Sequence, residues 1–181
     1  MARGETYPPE RTLGWVQYGM WLLRPRAVRE FRGHATPLAP VKAYWLQTVK
    51  AVDRVWANET LKEFWRHGKL VPNVAHEHPF QSDVPEKYKD PKRWFLLDTS
   101  VDPPRPWKYE TQIPVLSLAL TLGEAGERRW LLYAHSPVED RTGVEITVPQ
   151  FGKVTLDVPR AGTFYVLDEE SGKAARLEVT P

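Results

Sequence analysis

The amino-acid sequence predicts an α+β fold in which an N-terminal helical segment packs on a C-terminal antiparallel β-sandwich of about seven strands. Two periodicities predict this fold. Apolar residues recur every three or four positions in the first half, as on one helix face, and every second position in the second half, as on one strand face. We therefore expect a helical segment over residues 1–68, a proline-rich connector over 69–93 and a β-sandwich domain over 94–181.

Three stretches of the first segment have helical spacing. We expect a helix over Leu13 to Leu23 and then a long helix with one apolar face. That face consists of Val41, Trp45, Val49, Val52 and Trp56. A short helix is expected from Thr60 to His67, because Thr60 and Glu63 have the spacing of a capping box and Gly68 can end the helix.

Both periodicities disappear in the connector. Its prolines are Pro72, Pro79, Pro85 and Pro91. Since proline lacks an amide proton and fixes its own backbone, this spacing forbids a long helix and interrupts any central strand. A connection of this length is uncommon unless it is functional or packed down, and we interpret it as the boundary between the two halves.

The second half predicts short antiparallel strands. The clearest alternation is that of Leu116, Leu118, Leu120 and Leu122 with smaller or polar residues. Further strands are expected over residues 94–97, 129–134, 144–148, 153–158, 164–167 and 175–179. The breaks between strands are short and contain glycine, which suits tight antiparallel connections. This pattern is typical of a β-sandwich.

Composition excludes several classes of function. The 181 residues include 41% hydrophobic residues and no cysteine, so the chain can form a core but has no disulfide, thiolate metal site or cysteine nucleophile. A net charge of +2 is too small for strong electrostatic binding of nucleic acid. The longest apolar run near the start, Gly19 to Leu23, is too short to span a membrane and no secretory leader is recognised, so we expect a cytoplasmic location without membrane or nucleic-acid partners.

Two clusters contain residue types found in metal sites or hydrolytic triads, but neither has the full set of ligands or the geometry that such a site requires. His76 and His78 could both face one ion, yet a zinc site needs three or four ligands, so no metal is expected. His135 and Ser136 with Asp140 contain the residue types of a hydrolytic triad. Because adjacent strand residues point in opposite directions, His135 is poorly placed to serve Ser136, and we predict no catalytic residue and no cofactor.

The stretch from Trp94 to Tyr109 is the preferred candidate for ligand binding. A predicted strand ends near Asp98, and a proline-stiffened loop then presents aromatic side chains. Aromatic faces beside carboxylate and guanidinium groups suit a sugar ring, which has apolar CH faces and a rim of hydroxyls. The predicted substrate-binding residues are Trp94, Asp98, Arg105, Trp107 and Tyr109. The competing interpretation is that Trp107 seals the edge of the sandwich.

The order of parts resembles the C-terminal region of glycoside hydrolases, namely the end of a TIM barrel followed by a small β-sandwich. The resemblance is carried by GWVQYGMWLLRPR at residues 14–26, by RWLLYAHS at 129–136 and by FYVLDE at 164–169. A complete barrel needs roughly 250 residues, and its catalytic acids lie at the ends of several strands. The resemblance therefore implies a chain without the catalytic barrel, and no catalytic residue is carried over.

Three hypotheses follow for the function. The first is a non-catalytic accessory or structural region of a glycoside-hydrolase-like protein, with carbohydrate and a missing barrel domain as partners. The second is a stand-alone hydrolase that uses His76, His78 and nearby acids in the connector. The third is a protein–protein interaction module that docks a partner through a helix face.

Overall fold

The computed structural model of the chain describes residues 8–28, 38–71, 97–98, 105–106, 115–136 and 139–179, with the backbone alone at 38–41, 97–98 and 105–106. These residues form three helices and nine strands. The helices are α1 (Pro9–Leu23), α2 (Leu38–Ala57) and α3 (Glu59–His67). The strands are β1 (Lys69–Leu70), β2 (Leu97–Asp98), β3 (Arg105–Pro106), β4 (Leu116–Leu122), β5 (Arg129–His135), β6 (Arg141–Val148), β7 (Gly152–Val158), β8 (Thr163–Asp168) and β9 (Lys173–Leu177).

A five-stranded antiparallel sheet organises the fold. Its strand order is β1-β4-β5-β8-β9, so β5 lies at the centre and pairs with β4 and β8 along its length. Strands β6 and β7 form a separate antiparallel hairpin, and β2 and β3 form another short one. Strand β2 includes Leu97 of the strand predicted over 94–97, and residues 94–96 lie outside the described residues. Strand β1, at the start of the predicted connector, pairs with β4.

The central sheet is covered on both faces. On one face, β5 contributes Leu131 and Tyr133 to a cluster with Trp21 of α1 and Phe64 of α3. On the other face, alternate residues of the same strands pack against the β6–β7 hairpin. That second cluster includes Trp130, Leu132, Tyr165, Leu167, Val148 and Val158. The molecule therefore has the predicted α+β class, with helices, a five-stranded sheet and a two-stranded hairpin in a sandwich-like arrangement.

The helices follow the predicted periodicity, with one correction at a cap. Helix α3 begins after Asn58, whose side-chain Oδ1 accepts a hydrogen bond from the Leu61 amide at 3.0 Å. The cap is therefore Asn58 and not Thr60, because the chain has already turned helical at Glu59. Gly68 follows the helix as predicted, and its amide donates to the Phe64 carbonyl at 2.9 Å. No helix in the described ranges is both long and apolar enough to cross a membrane.

Candidate functional site

A buried polar cluster joins the helices to the sheet. We call it the Tyr133 cluster; it consists of Gly14 and Gln17 of α1, Arg54 of α2, Tyr133 of β5 and the carbonyl of Ala161. The Tyr133 hydroxyl donates to the Gly14 carbonyl at 2.9 Å. The Gln17 amide nitrogen donates to that hydroxyl at 3.3 Å and to the Ala161 carbonyl at 2.9 Å. Arg54 donates to the Gln17 amide oxygen at 3.0 Å.

The Tyr133 cluster is held in place by the close approach of the Gly162 backbone to Tyr133 and by the burial of its side chains. Gly162 has a φ of 79° and lies so close to the Tyr133 hydroxyl that a Cβ there would collide with it. Full burial raises the pKa of Tyr133 well above its usual range, so the hydroxyl stays protonated and keeps donating. Each polar group of Gln17 has a partner in another element, as buried polar groups require. The cluster thereby fixes α1 and α2 on β5.

His135 lies next to this cluster in an aromatic environment. Its ring makes edge contacts with Trp15 at 5.3 Å and with Tyr18 at 6.0 Å, and a tilted contact with Tyr133 at 5.9 Å. Neither ring nitrogen has a hydrogen-bond partner among the described residues. Burial lowers the pKa of His135 to about 3, so the ring is neutral at physiological pH.

The three residue types of a hydrolytic triad are not assembled around His135. The Ser136 hydroxyl oxygen is buried without a hydrogen-bond partner in the described part of the chain. Asp140 instead accepts from the Arg160 amide at 2.8 Å, and its carboxylate lies 3.6 Å from the Arg160 guanidinium. A triad needs hydrogen bonds from serine to histidine and from histidine to aspartate, and these contacts supply neither.

Two acidic side chains of the β half, Glu169 and Glu139, have structural partners. Glu169 accepts from the Gly126 amide at 2.7 Å and from the Arg128 amide at 2.9 Å, which tightens the turn between β4 and β5. The hydrogen bond from Arg128 is the largest cause of the lowered pKa of Glu169. Glu139 lies 3.5 Å from the Arg141 guanidinium. The described residues contain no group of three or more His, Cys, Asp or Glu side chains that could hold a metal ion.

An apolar groove opens between the three helices. We call it the helical groove; its volume is about 530 Å³. Helix α2 lines one wall with Trp45, Thr48, Val49, Val52, Val55 and Trp56. Met20, Pro25, Arg26, Ala27 and Val28 line it from α1 and the residues after it, and Trp65 and Arg66 from α3. Trp56 is 50% exposed and Val28 42% exposed, so the groove presents apolar surface outward.

The end of α1 is fixed on α3 beside the groove. Arg24 has a φ of 43°, and its amide closes the helix on the Met20 carbonyl at 2.6 Å. Its guanidinium donates to the Gly68 carbonyl and, at 3.5 Å, to the Trp65 carbonyl. Because these carbonyls lie at the C-terminal end of α3, the cation also meets the negative end of the helix dipole. This side of the groove is therefore built from two helix ends joined by one arginine.

Two of the five predicted sugar-binding residues are described, and the structure brings them together. Asp98 of β2 is the direct cross-strand partner of Arg105 of β3. Residues opposite each other in an antiparallel pair share one face of the hairpin. Trp94, Trp107 and Tyr109 lie outside the described residues, as do His76 and His78.

The apolar face of α2 is visible in the sequence, but the groove that it lines is not. Its signal was the spacing of Trp45, Val49, Val52 and Trp56, which is correct for one helix face. The Tyr133 cluster carries no comparable signal, because Gln17 and Tyr133 are 116 residues apart.

The chain matches no protein-family model, no curated protein and no solved structure.

Proposed function

We propose that the chain is a non-catalytic accessory or structural region of a glycoside-hydrolase-like protein, which contacts carbohydrate and supports a separate catalytic domain. The observation that carries this proposal is the helical groove. The helices already bury one side against the central sheet, through Trp21, Val55 and Phe64 among others. The apolar surface that the same helices leave exposed in the groove, at Trp56 and Val28 among others, is typical of a site for another domain.

The groove supports docking because of its composition. Three tryptophans line it, and two of them, Trp45 and Trp65, are only partly buried. Tryptophan and arginine are the side chains most enriched at the energetic centres of protein interfaces. Burial by a partner of the apolar surface that these tryptophans still expose would favour docking by roughly 25 cal/mol per Å². A catalytic barrel is the partner that the resemblance implies.

The carbohydrate part of the proposal rests on the β2–β3 hairpin. Its register supports a shared face for Asp98 and Arg105, a carboxylate and a guanidinium that can hydrogen-bond hydroxyls. The contribution of Trp94, Trp107 and Tyr109 as stacking platforms stays a prediction from the sequence. The cytoplasmic location is likewise a prediction.

Affinity electrophoresis through gels that contain soluble polysaccharides tests the carbohydrate part. We expect the purified chain to be retarded by at least one polysaccharide, and Trp107→Ala to remove the retardation. Trp56→Ala, in the helical groove, is the matched control and should leave the retardation unchanged. If Trp107→Ala binds as the parent chain does, the sugar platform is wrong.

Assays with aryl glycosides test the non-catalytic part. We expect no turnover by the chain alone. Turnover that is lost on substitution of a single carboxylate would contradict the proposal. The hydrolase alternative with His76 and His78 is tested by elemental analysis, in which bound metal lost in His76→Ala would support it.

A protein–protein interaction module without carbohydrate binding is the second candidate function. The helical groove favours this candidate too, because an apolar groove can dock a protein partner whether or not the chain binds carbohydrate. A chain that fails every polysaccharide test but binds a partner through the groove would select this candidate.

A further inference from the structure

The wall that α2 contributes to the helical groove is a straight apolar stripe. Trp45, Val49, Val52 and Trp56 follow one another at intervals of four, three and four residues, so they stay on one face of the helix. At about 1.5 Å rise per residue the stripe is about 16 Å long, or three helical turns. Leu46, which is 48% exposed, does not line the groove. The apolar surface is therefore elongated and confined to one face.

The charged side chains that line the groove are all basic in the part of the chain that the structure describes. They are Arg26 and Arg66. The Arg66 guanidinium lies 5.4 Å from the centre of the Trp56 ring, at the end of the stripe. Glu59, two turns before Arg66 on α3, forms an ion pair with Lys62 at 2.6 Å, and the hydrogen bond from Lys62 and, to a smaller extent, the charge of Arg66 lower the pKa of its carboxyl group. An anionic partner would thus meet two arginines and no acidic lining residue.

We infer that the helical groove binds an amphipathic helix of about three turns from a partner protein, with acidic residues flanking its apolar stripe. The inference rests on the proposed function, because it names the chemistry of the surface by which the supported domain docks. A helix fits better than an extended segment, since it satisfies its own backbone hydrogen bonds while its side chains occupy an apolar groove. Its apolar residues would interleave with the α2 stripe.

Charge argues against a second copy of the chain as the occupant. A two-fold pairing through the same groove brings each surface patch against its own copy. Arg26 and Arg66 of both copies would then lie in one interface without an acidic lining residue to compensate them. Like charges that meet in an interface are costly. An acidic partner has the opposite sign at the same positions.

Fluorescence anisotropy with a labelled synthetic peptide tests the inference. The probe is a 14-residue peptide with leucines at helical spacing and glutamates on both flanks. One control peptide has the same composition with the leucines scattered, and a second has lysine in place of each glutamate. We expect saturable binding of the probe to the full chain, and binding at least about tenfold weaker for both controls. Equal binding of the scattered peptide would overturn the inference.

Variants of the chain locate the binding. Trp56→Ala and Arg66→Glu should each weaken probe binding about tenfold, and Arg66→Glu should narrow the preference for the glutamate peptide over the lysine peptide. Leu46→Glu, exposed on the same helix but outside the groove, is the matched control and should bind within a factor of two. Circular dichroism verifies that each variant is folded.

Two results would overturn the inference independently of the carbohydrate tests. One is the absence of probe binding to the folded chain. The other is a concentration-dependent dimer in light scattering that Trp56→Ala abolishes, which would assign the groove to a second copy. Polysaccharide retardation that depends on Trp107 would survive either result, so a failed docking inference is distinguishable from a failed accessory function.

Discussion

The Tyr133 hydroxyl donates a hydrogen bond of 2.9 Å to the Gly14 carbonyl across 119 residues of sequence. This bond connects the first helix to the central strand of the sheet. Gly14 permits it, because a Cβ at this position would lie 2.6 Å from the Arg160 carbonyl oxygen and 2.8 Å from Cδ2 of His135. The helical layer and the sheet are therefore joined through a close backbone approach as well as through apolar contacts.

Removal of the Tyr133 hydroxyl should destabilise the protein. Tyr133→Phe keeps the ring but deletes a fully buried donor to Gly14 and an acceptor for Gln17. We expect the free energy of unfolding to fall by about 1–2 kcal/mol and the melting temperature by roughly 4 °C. Urea denaturation followed by tryptophan fluorescence measures the first quantity.

Tyr165→Phe is the comparison for that variant. The Tyr165 hydroxyl donates to the Asp157 carbonyl at 3.0 Å in a partly buried position. Water can replace a partner there, so we expect a loss below about 1 kcal/mol. Equal losses for the two variants would contradict a special role for the bond to Gly14.

Two glycines of α1 should respond in opposite directions to alanine. Gly14→Ala places a methyl group against the Arg160 carbonyl and His135, and we expect a loss of about 1–3 kcal/mol in the free energy of unfolding. Gly19→Ala meets nothing within 4 Å, and the higher helix propensity of alanine should stabilise the protein by about 0.5–1 kcal/mol. Thermal unfolding shows whether each substitution lowers or raises the melting temperature. Stabilisation by both would show that the close approach at Gly14 is unimportant.

The layered fold was predictable because local periodicity reports which face of an element is buried. Leu116, Leu118 and Leu120 alternate in the sequence, and all three are buried in the structure. The class of each half follows from such patterns. The pairing of α1 with β5 does not, because nothing in the spacing of Gln17 or Tyr133 indicates a partner more than a hundred residues away.

The helical groove was predictable only in part, for a related physical reason. The stripe on α2 was visible in the sequence, but a second apolar pair, Ala51 and Val55, lies on the same helix. In the structure Ala51 and Val55 are the buried ones, while Trp56 is half exposed. A helix with apolar residues over a wide arc does not reveal which of them face the sheet.

Loss of the α3 cap should cost more than loss of the neighbouring threonine. Asn58→Ala removes the side-chain acceptor for the Leu61 amide, and we expect a loss of about 1 kcal/mol. Thr60→Ala lies inside the helix and should change stability by less than about 0.5 kcal/mol. Urea denaturation of both variants measures the free energy of unfolding and shows which substitution lowers it more. A larger loss for Thr60→Ala would restore the capping box that the sequence predicted.

Acidification should destabilise the protein through His135 before its carboxylates titrate. The folded chain keeps His135 neutral down to a pKa of about 3, whereas an unfolded histidine titrates near 6.5. Between these values the unfolded state binds more protons, so this contribution to stability is complete above about pH 6.5 and is lost as the pH falls. Linkage gives a loss of about 2 kcal/mol between pH 7 and pH 5. Urea denaturation at both pH values measures it.

His135→Phe should flatten this dependence. Phenylalanine suits the aromatic contacts with Trp15 and Tyr18 and removes two buried nitrogens that have no hydrogen-bond partner among the described residues. His67→Gln, at an exposed position, is the control and should retain the parent slope. Asp168 and Glu169 have lowered pKa values, so their contributions are lost at more acidic pH. Among the described residues with shifted pKa values, the window from pH 7 to pH 5 therefore belongs to His135. A parent-like slope in His135→Phe would show that another group carries the dependence.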